Sequence, residues 1–502
     1  MCGFCRSTLL RDGDTLSQIG PNGQFSAEIF EDYSPLQLGA TGRWMGAGFS
    51  VVGRVQRGSP AGHWNEWHLL FDAGADTPRV AWLSEDNGRF VLSLEAPLAE
   101  LPPEAPGVGL PLTLAGQRWQ VAAVVQASVR AAEGELPRPP RPGRIVELRN
   151  AQDEVGTLET SDAGITVWTV GRAVALEELA LQGLRITAEG DSVAEATFAG
   201  RSIACPSCGA PLTPKLAQSQ SMSCGQCQAV VELAEGDAAA LGFTPQAPSL
   251  APLIPLGRTG MLSIDTGVAQ PWQVVGYQER CDLPDDPDDE QSFWREYLLF
   301  NRLSGFAFLV DTREGWSLVR TLTGAPAPAR DGGVAWKGQA YTQRWAYAAK
   351  TTHVLGEFYW PVRLEDRVQV ADYITRDGQH LLSREQAANE VVWSGGRPLE
   401  ADLVRQAFAL ADNRPLLRDT SAFTSNSSGL IVKLIVAGLL AVLLLALVRG
   451  CARDDCQRYK ESFGAASTEY QQCRANARGG GVYLGNSGGS YGGYSSGGGG
   501  HK

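Results

Sequence analysis

Positive charge is scarce in this chain: 43 Lys and Arg stand against 55 Asp and Glu, a formal net charge of −12. A general nucleic-acid binder needs a basic face to displace counterions, so that class is set aside. Between Arg201 and Asp237 the only cations are Arg201 and Lys215, although the Cys-rich element found there often serves nucleic acids. A phosphate-binding Gly loop, a P-loop and a nucleophile elbow are also missing, which removes the usual signatures of nucleotide and serine-hydrolase chemistry. The N-terminus, Met-Cys-Gly-Phe-Cys-Arg-Ser-Thr-Leu-Leu, has no apolar run long enough for a signal peptide. The ten cysteines lie mostly in C-x-x-C pairs, which points to metal in a reducing compartment and away from a disulfide framework.

The most informative of these pairs are Cys205-Pro-Ser-Cys208 and Cys224-Gly-Gln-Cys227, with 15 residues between them. Two such knuckles place four thiolates at the corners of a tetrahedron, the geometry zinc accepts. A structural zinc ribbon is expected here, in preference to redox chemistry. Four thiolates leave no open position for a catalytic water. The segment is poor in apolar side chains, so its order is expected to depend on the metal.

The 502 residues, 43% hydrophobic, can bury more than one core. Self-similarity divides them. Leu38-Gly39-x-Thr41-Gly42 recurs as Leu256-Gly257-x-Thr259-Gly260, and Val51-Val52-Gly53 with Arg57 as Val274-Val275-Gly276 with Arg280. Trp64-x-Glu66-Trp67-x-Leu69 recurs as Trp294-x-Glu296-Tyr297-x-Leu299, and Gly134-Glu135 as Gly356-Glu357. Val167-Trp168 with Gly171-Arg172 matches Val392-Trp393 with Gly396-Arg397. The order is kept throughout, so the chain is read as a tandem duplication. By the same spacing Cys2 and Cys5 correspond to Cys224 and Cys227, an orphan half-site, and the partner of Cys205 would fall before residue 1.

The expected fold class is mainly β: two tandem homologous antiparallel β domains separated by a four-cysteine zinc ribbon. Their boundaries are a partial ribbon and linker over 1–33, β domain copy 1 over 34–200, the ribbon over 201–233, a linker over 234–252 and copy 2 over 253–415. Short β-branched and aromatic runs mark the strands: Phe49–Val55, Trp67–Phe71, Arg79–Leu83 and Arg89–Leu94, matched by Trp272–Tyr277, Glu296–Phe300, Phe306–Val310 and Trp316–Leu322. Ser84–Gly88 and Asp311–Gly315 read as hairpin turns. A helix is expected to close each copy, over Ala175–Gln182 and Leu399–Asp412, the second with Leu403, Ala407, Phe408 and Ala411 on one face.

After a polar linker over 416–429, Leu430 to Val448 is apolar or Gly except for Lys433, long enough to cross a hydrocarbon core as one transmembrane helix. A short helical segment over 449–478 and a disordered Gly/Ser/Tyr-rich tail over 479–502 complete the expected organisation. Arg449, Arg453, Arg458 and Lys460 outweigh Arg414 and Arg418, which favours a cytoplasmic tail. That orientation would export the thiolate sites with no signal sequence. The reading preferred is a single pass through a bacterial inner membrane, the N-terminal bulk cytoplasmic and the tail periplasmic. There, Cys456 and Cys473 would lock a helical hairpin turning at Gly464–Ser467.

These residues resemble a bacterial family known as domain of unknown function 4178. The resemblance rests on Cys2-Gly-Phe-Cys5-Arg-Ser-Thr-Leu, both Leu-Gly-x-Thr-Gly starts, Trp64-x-Glu66-Trp67, Gly356-Glu-Phe-Tyr-Trp360 and the Gly-rich tail ending His501-Lys502. It implies a complete N-terminal ribbon in relatives. It also implies a setting in envelope-stress gene clusters that include phage-shock-protein-A-like membrane-remodelling proteins. It assigns no chemistry.

For catalysis the candidates are Glu66 with Glu135 and Glu296 with Glu357, a carboxylate pair for acid–base hydrolysis in each copy. The alternative is that Glu66 and Glu296 bond a backbone group or an Arg. His63, Glu66 and His68 suggest a metal, but Phe293 and Leu298 stand at the histidine positions of copy 2. The acidic run Asp282–Glu290 lacks the spacing of a calcium loop and reads as a solvated hairpin tip. Tryptophans such as Trp44, Trp64, Trp67 and Trp82 read mostly as core. The function expected is a membrane-anchored, non-enzymatic adaptor that binds protein partners at the inner membrane through edge strands or Trp-lined grooves. The alternative is a hydrolase using the Glu pair of each domain. Two carboxylates converging in a cleft would favour the enzyme; glutamates buried against arginines would favour the adaptor.

Overall fold

Alternating and β-branched runs joined by Gly-containing turns build two barrels of the same design. The computed structural model describes residues 9–12, 15–18 and 34–411, less 61, 73–78, 99–106, 186–201, 217–218, 234–239, 247–251, 265–266, 285–290 and 303. Barrel 1 contains β1 (Ala47–Ser59), β2 (Gly62–Phe71), β3 (Val80–Asp86), β4 (Arg89–Glu95), β5 (Gln117–Gly134), β6 (Gly143–Arg149), β7 (Glu154–Ser161) and β8 (Thr166–Val174). Barrel 2 contains β9 (Gln270–Leu283), β10 (Phe293–Asn301), β11 (Gly305–Thr312), β12 (Gly315–Thr321), β13 (Gln339–Phe358), β14 (Arg367–Thr375), β15 (Leu381–Gln386) and β16 (Val391–Leu399).

In each, four strands run as a meander, and so do the next four. The fourth pairs with the eighth and the first with the fifth, so the sheet closes on itself with every pairing antiparallel. The duplication is visible in register. Arg57 faces Trp64 across β1–β2 as Arg280 faces Trp294 across β9–β10. Both first strands carry a bulge at the same place, between Val51 and Gly53 and between Val274 and Gly276.

Closure depends on glycine. Gly53 pairs with Gly134 and Gly276 with Gly356 where the first strand meets the fifth. Gly134 and Gly356 have φ of 74° and 85°, a region costly for residues with a Cβ. A Cβ on Gly276 would stand 2.7 Å from the carbonyl oxygen of Glu357.

Pleating gives each sheet two buried faces. Outside barrel 1, Trp67, Leu69, Leu83 and Leu92 pack under Leu36, Ala40 and Leu179. Outside barrel 2, Tyr277, Tyr297, Leu309 and Trp316 pack under Ile254, Val404 and Phe408. The expected closing helices are shorter than their patterns. The first is a 3-10 turn over Leu176–Leu179, and the second is α1, Ala401–Ala407. In α1 the buried face is Ala401, Val404 and Phe408, with Leu403 exposed, because the helix starts two residues later and Leu399 remains in β16. The turns at Ser84–Gly88 and Asp311–Gly315 narrow to Asn87-Gly88 and Arg313-Glu314, the flanking residues staying in the ladders.

The barrels touch through polar groups. Arg89 donates to Thr321 Oγ1 (2.6 Å) and to Thr323, Arg149 to the Leu322 carbonyl (3.0 Å), and Trp393 Nε1 to Gln120 Oε1 (2.9 Å). Burial beside Arg149 and Arg320 lowers the Arg89 guanidinium to about 10.

Within 234–252, read as linker, Ala240–Thr244 forms a strand against Val230–Leu233. Leu9–Asp12 likewise pairs antiparallel with Thr15–Gln18. Cys2 and Cys5, Leu430–Val448 and everything beyond lie outside the described residues. Among the described residues no helix is long and apolar enough to cross a membrane.

Gly276→Ala is expected to lower stability by about 1–3 kcal/mol in urea unfolding, since the new methyl is forced against backbone. Gly242→Ala, which meets nothing within 4 Å, is expected to stay within about 0.5 kcal/mol.

Candidate metal centre and the buried carboxylates

Each C-x-x-C knuckle sits at the tip of a β-hairpin, Ile203–Ala204 with Pro211–Leu212 and Ser221–Ser223 with Val230–Leu233. The two tips have matching backbone bonds. Cys205 N donates to the Ala210 carbonyl (2.8 Å) and Gly209 N to the Cys205 carbonyl (2.8 Å); Cys224 N and Gln228 N do the same to Ala229 (2.9 Å) and Cys224 (2.8 Å). The residue after each second cysteine turns left-handed, Gly209 at φ 78° and Gln228 at φ 60°. This curls the chain so that both sulfurs of a knuckle point inward.

All four sulfurs lie within 4.8 Å of one another, with Cys205–Cys227 at 3.8 Å and Cys208–Cys224 at 3.7 Å. A tetrahedron of thiolates around an ion with bonds of about 2.3 Å has edges of about 3.8 Å, so the donor set fits a metal ion. The same distances are far too long for disulfides. The Ala229 amide favours the thiolate of Cys227, while neighbouring cysteines, Cys227 first, hold Cys208 up.

The sequence suggested that metal alone would order the ribbon. The structure adds two supports. Ile203, Leu212, Met222, Val231 and Leu233 form a small cluster behind the cysteines. Ser221–Ser223 also pairs with the end of β13, and Leu216 and Val230 enter the core of barrel 2 beside Phe358 and Trp360. Glu357 holds this junction. Its Oε2 accepts from Lys215 N (2.9 Å), Leu216 N (2.9 Å) and Ser219 Oγ (2.7 Å), while burial pushes its carboxyl up. Gln246 adds a second clasp, donating to Gln228 and Val354 carbonyls at 2.6 Å each.

The other candidate glutamates lie elsewhere. Glu296 is buried inside barrel 2, accepting from Arg280 Nη1 (3.0 Å), Gln278 Nε2 (2.6 Å) and Trp294 Nε1 (2.8 Å). Arg280 also grips Glu385 with both terminal nitrogens, at 3.1 and 3.2 Å. Barrel 1 repeats the unit: Arg57 meets Glu66 (3.4 Å) and Glu159 (2.6 Å), and Trp64 Nε1 donates to Glu66 (3.0 Å). The Glu296 and Glu357 carboxylates thus have separate sets of partners. Glu135 is exposed, and its carbonyl takes the bond from His68 Nδ1 (2.9 Å).

His63 alternates to the opposite face of β2 from Glu66 and His68, and the three form no metal-like group; among the described residues only the four cysteines do. Burial lowers the His68 imidazole. Most of the acidic run lies outside the described residues; Asp282 itself is buried and accepts from Ser292 N (2.7 Å). Trp64 and Trp67 are core, as are Trp272, Trp294, Trp316 and Trp360, which leaves no Trp-lined groove among these six. Glu159 and Glu385 were missed in the sequence, though they recur at matched positions between the two copies.

The family profile described as domain of unknown function (DUF4178) matches residues 37–176 and 268–401, one region in each barrel. The chain belongs to this family. No curated protein and no solved structure matches it. The two matched regions of this DUF4178 protein leave the ribbon between them, so the ribbon joins two copies of the family domain.

Two outcomes follow for this DUF4178 protein. Arg280→Met leaves Glu296 and Glu385 unpaired in the barrel and is expected to cost about 3–5 kcal/mol in denaturant unfolding. Glu357→Ala removes the acceptor for two amides and a hydroxyl and is expected to cost about 1–3 kcal/mol. Hydrogen exchange should then rise through 203–233 and at the end of β13, with β1–β8 little changed.

Proposed function

We propose that this DUF4178 protein is a non-enzymatic, membrane-anchored adaptor whose zinc ribbon braces barrel 2 for binding a protein partner. The observation that carries this reading is the engagement of the carboxylates. Glu66 and Glu296 are held by arginine and tryptophan inside the barrels, and Glu357 is held by ribbon amides. A hydrolase needs one carboxylate to protonate a leaving group and another to activate water, and these are committed to structure instead.

The ribbon metal is zinc in this reading: four thiolates in tetrahedral array suit zinc or iron, and a structural site suits an ion without redox chemistry. Leu430–Val448 serves as the single span in a bacterial inner membrane, with the ribbon and barrels in the cytoplasm and the tail in the periplasm. The partner surface is the strand Ala240–Thr244, which ends its sheet with one side unpaired among the described residues and exposes Phe243. The setting is the envelope-stress response.

The test combines metal analysis with cross-linking. The full chain purified from membranes should contain one zinc per chain at Cys205, Cys208, Cys224 and Cys227, and lose it in Cys208→Ser. A photo-cross-linker replacing Phe243 should capture one defined partner in intact cells. Capture should survive Glu66→Gln and Glu296→Gln and fail in Cys208→Ser. No zinc, or capture unaffected by zinc loss, would defeat the reading.

A further inference from the structure

The two barrels meet through different faces. Barrel 2 offers its β15–β16 turn, Ala387–Glu390, and barrel 1 receives it on β5. Ala123 bridges Glu390, and Val124 N donates to the Asn389 carbonyl (3.4 Å). The turn fills a gap in the ladder. On the side away from β6, β5 pairs with Pro111–Leu114 as far as Gln120 and with β1 from Ser128 onward. Glu390 is buried there, 3% exposed.

Because the barrels are copies, each also carries the half of this contact that it does not use. Ile165 precedes Val167 as Glu390 precedes Val392, and those valines face Glu159 and Glu385 at matched positions. The barrel 1 turn is one residue longer, closed by Ser161 N on the Ile165 carbonyl (2.9 Å) where Ala387 N closes on Glu390 (3.0 Å). Asp162–Ile165 is exposed throughout, with the Ile165 side chain at 55%. On β13, Trp345 faces Asp372 beside a bulge, as Ala123 faces Glu147 on β5. There Val334–Trp336 pairs as far as Tyr341, and β9 pairs from Ala348 onward. Among the described residues no strand covers Thr342–Ala346 on that side, and Thr342, Gln343 and Ala346 are exposed.

A single exposed Ile needs no explanation. One at the tip of a turn whose twin is buried in an interface is half of that interface, and the gap on β13 is the other half. An uncovered strand edge is itself a template for pairing. We infer that a second copy of this chain seats its Asp162–Ile165 turn on the β13 edge Thr342–Ala346, repeating between chains the contact that joins the barrels within one. Ile165 then lies beside Trp345 and Ala346, and the edge gains backbone partners from the turn. The two halves sit on different barrels, so the contact is heterologous, and each added copy presents a fresh turn or a fresh edge. Linked barrels meet at high effective concentration, whereas separate copies need a raised protein concentration.

Sedimentation of the purified full chain in density-matched detergent tests this. The unaltered chain should associate beyond one copy as its concentration rises. Ile165→Asp, which spoils the turn, and Ala346→Lys, which blocks the edge, should each weaken association at least tenfold, about 1.4 kcal/mol. Both residues are exposed, so thermal midpoints should stay unchanged. A mixture of the two variants should recover a one-to-one dimer, since the intact turn of one still fits the intact edge of the other. A chain that stays single at every concentration, a variant that assembles as the unaltered chain does, or a mixture that stays single would overturn the inference.

Discussion

A guanidinium buried between two carboxylates crosses each barrel; in barrel 2 the closed sheet keeps the whole unit from water, and in barrel 1 the unit lines a small pocket. Arg57 and Arg280 come from the first strand of their barrels, Glu66 and Glu296 from the second, and Glu159 and Glu385 from the seventh. The seventh strand is not a neighbour of the first in the ladder, so the contact spans the interior and ties the two meanders together. Desolvating three charges is expensive, and only their mutual geometry, helped by Trp64 and Trp294, offsets the cost. Side chains of other length would leave a charge unpaired. This makes the unit a strong constraint on strand register, since a slip of one residue would turn the arginine outward.

Around this shared element the copies have diverged in how their barrels are completed. Barrel 2 is filled with aromatic and branched side chains, and its end is joined by the ribbon through Leu216, Val230 and the Glu357 bonds. Ribbon and barrel thus share a core, so a metal ion held at the knuckles stabilises more than the hairpins that hold it. Barrel 1 has a smaller apolar interior, with Trp64 packed against Ala127 and Ile145, and carries hydroxyls where its twin carries valines.

Much of this organisation was legible in the chain itself. Paired C-x-x-C knuckles specify a metal site because the ligands are local: each pair is set by one tight turn, and the cysteine spacing already limits the geometry. The tandem repeat specifies two equivalent domains because matched residues at a near-constant spacing fold alike, and the shared Arg–Trp register bears this out. Short apolar runs located the strands, although helix periodicity overestimated α1, where Leu399 remained in the sheet.

What only the tertiary structure decided is which distant groups meet. Whether Glu357 faces Glu296 or the ribbon depends on a β13 strand that bends to serve several partners, and no local pattern encodes that bend. Glu159 and Glu385 acquire their role only when closure brings the seventh strand across from the first. Likewise Ser93, Thr157 and Thr169 share one inner face only because ladder register sets three strands side by side, with Val319, Ser383 and Ser394 at the matching positions of the other copy. Local sequence sets strands and knuckles through backbone preference and nearby ligands; contacts across a closed barrel depend on register and closure, which belong to the whole chain.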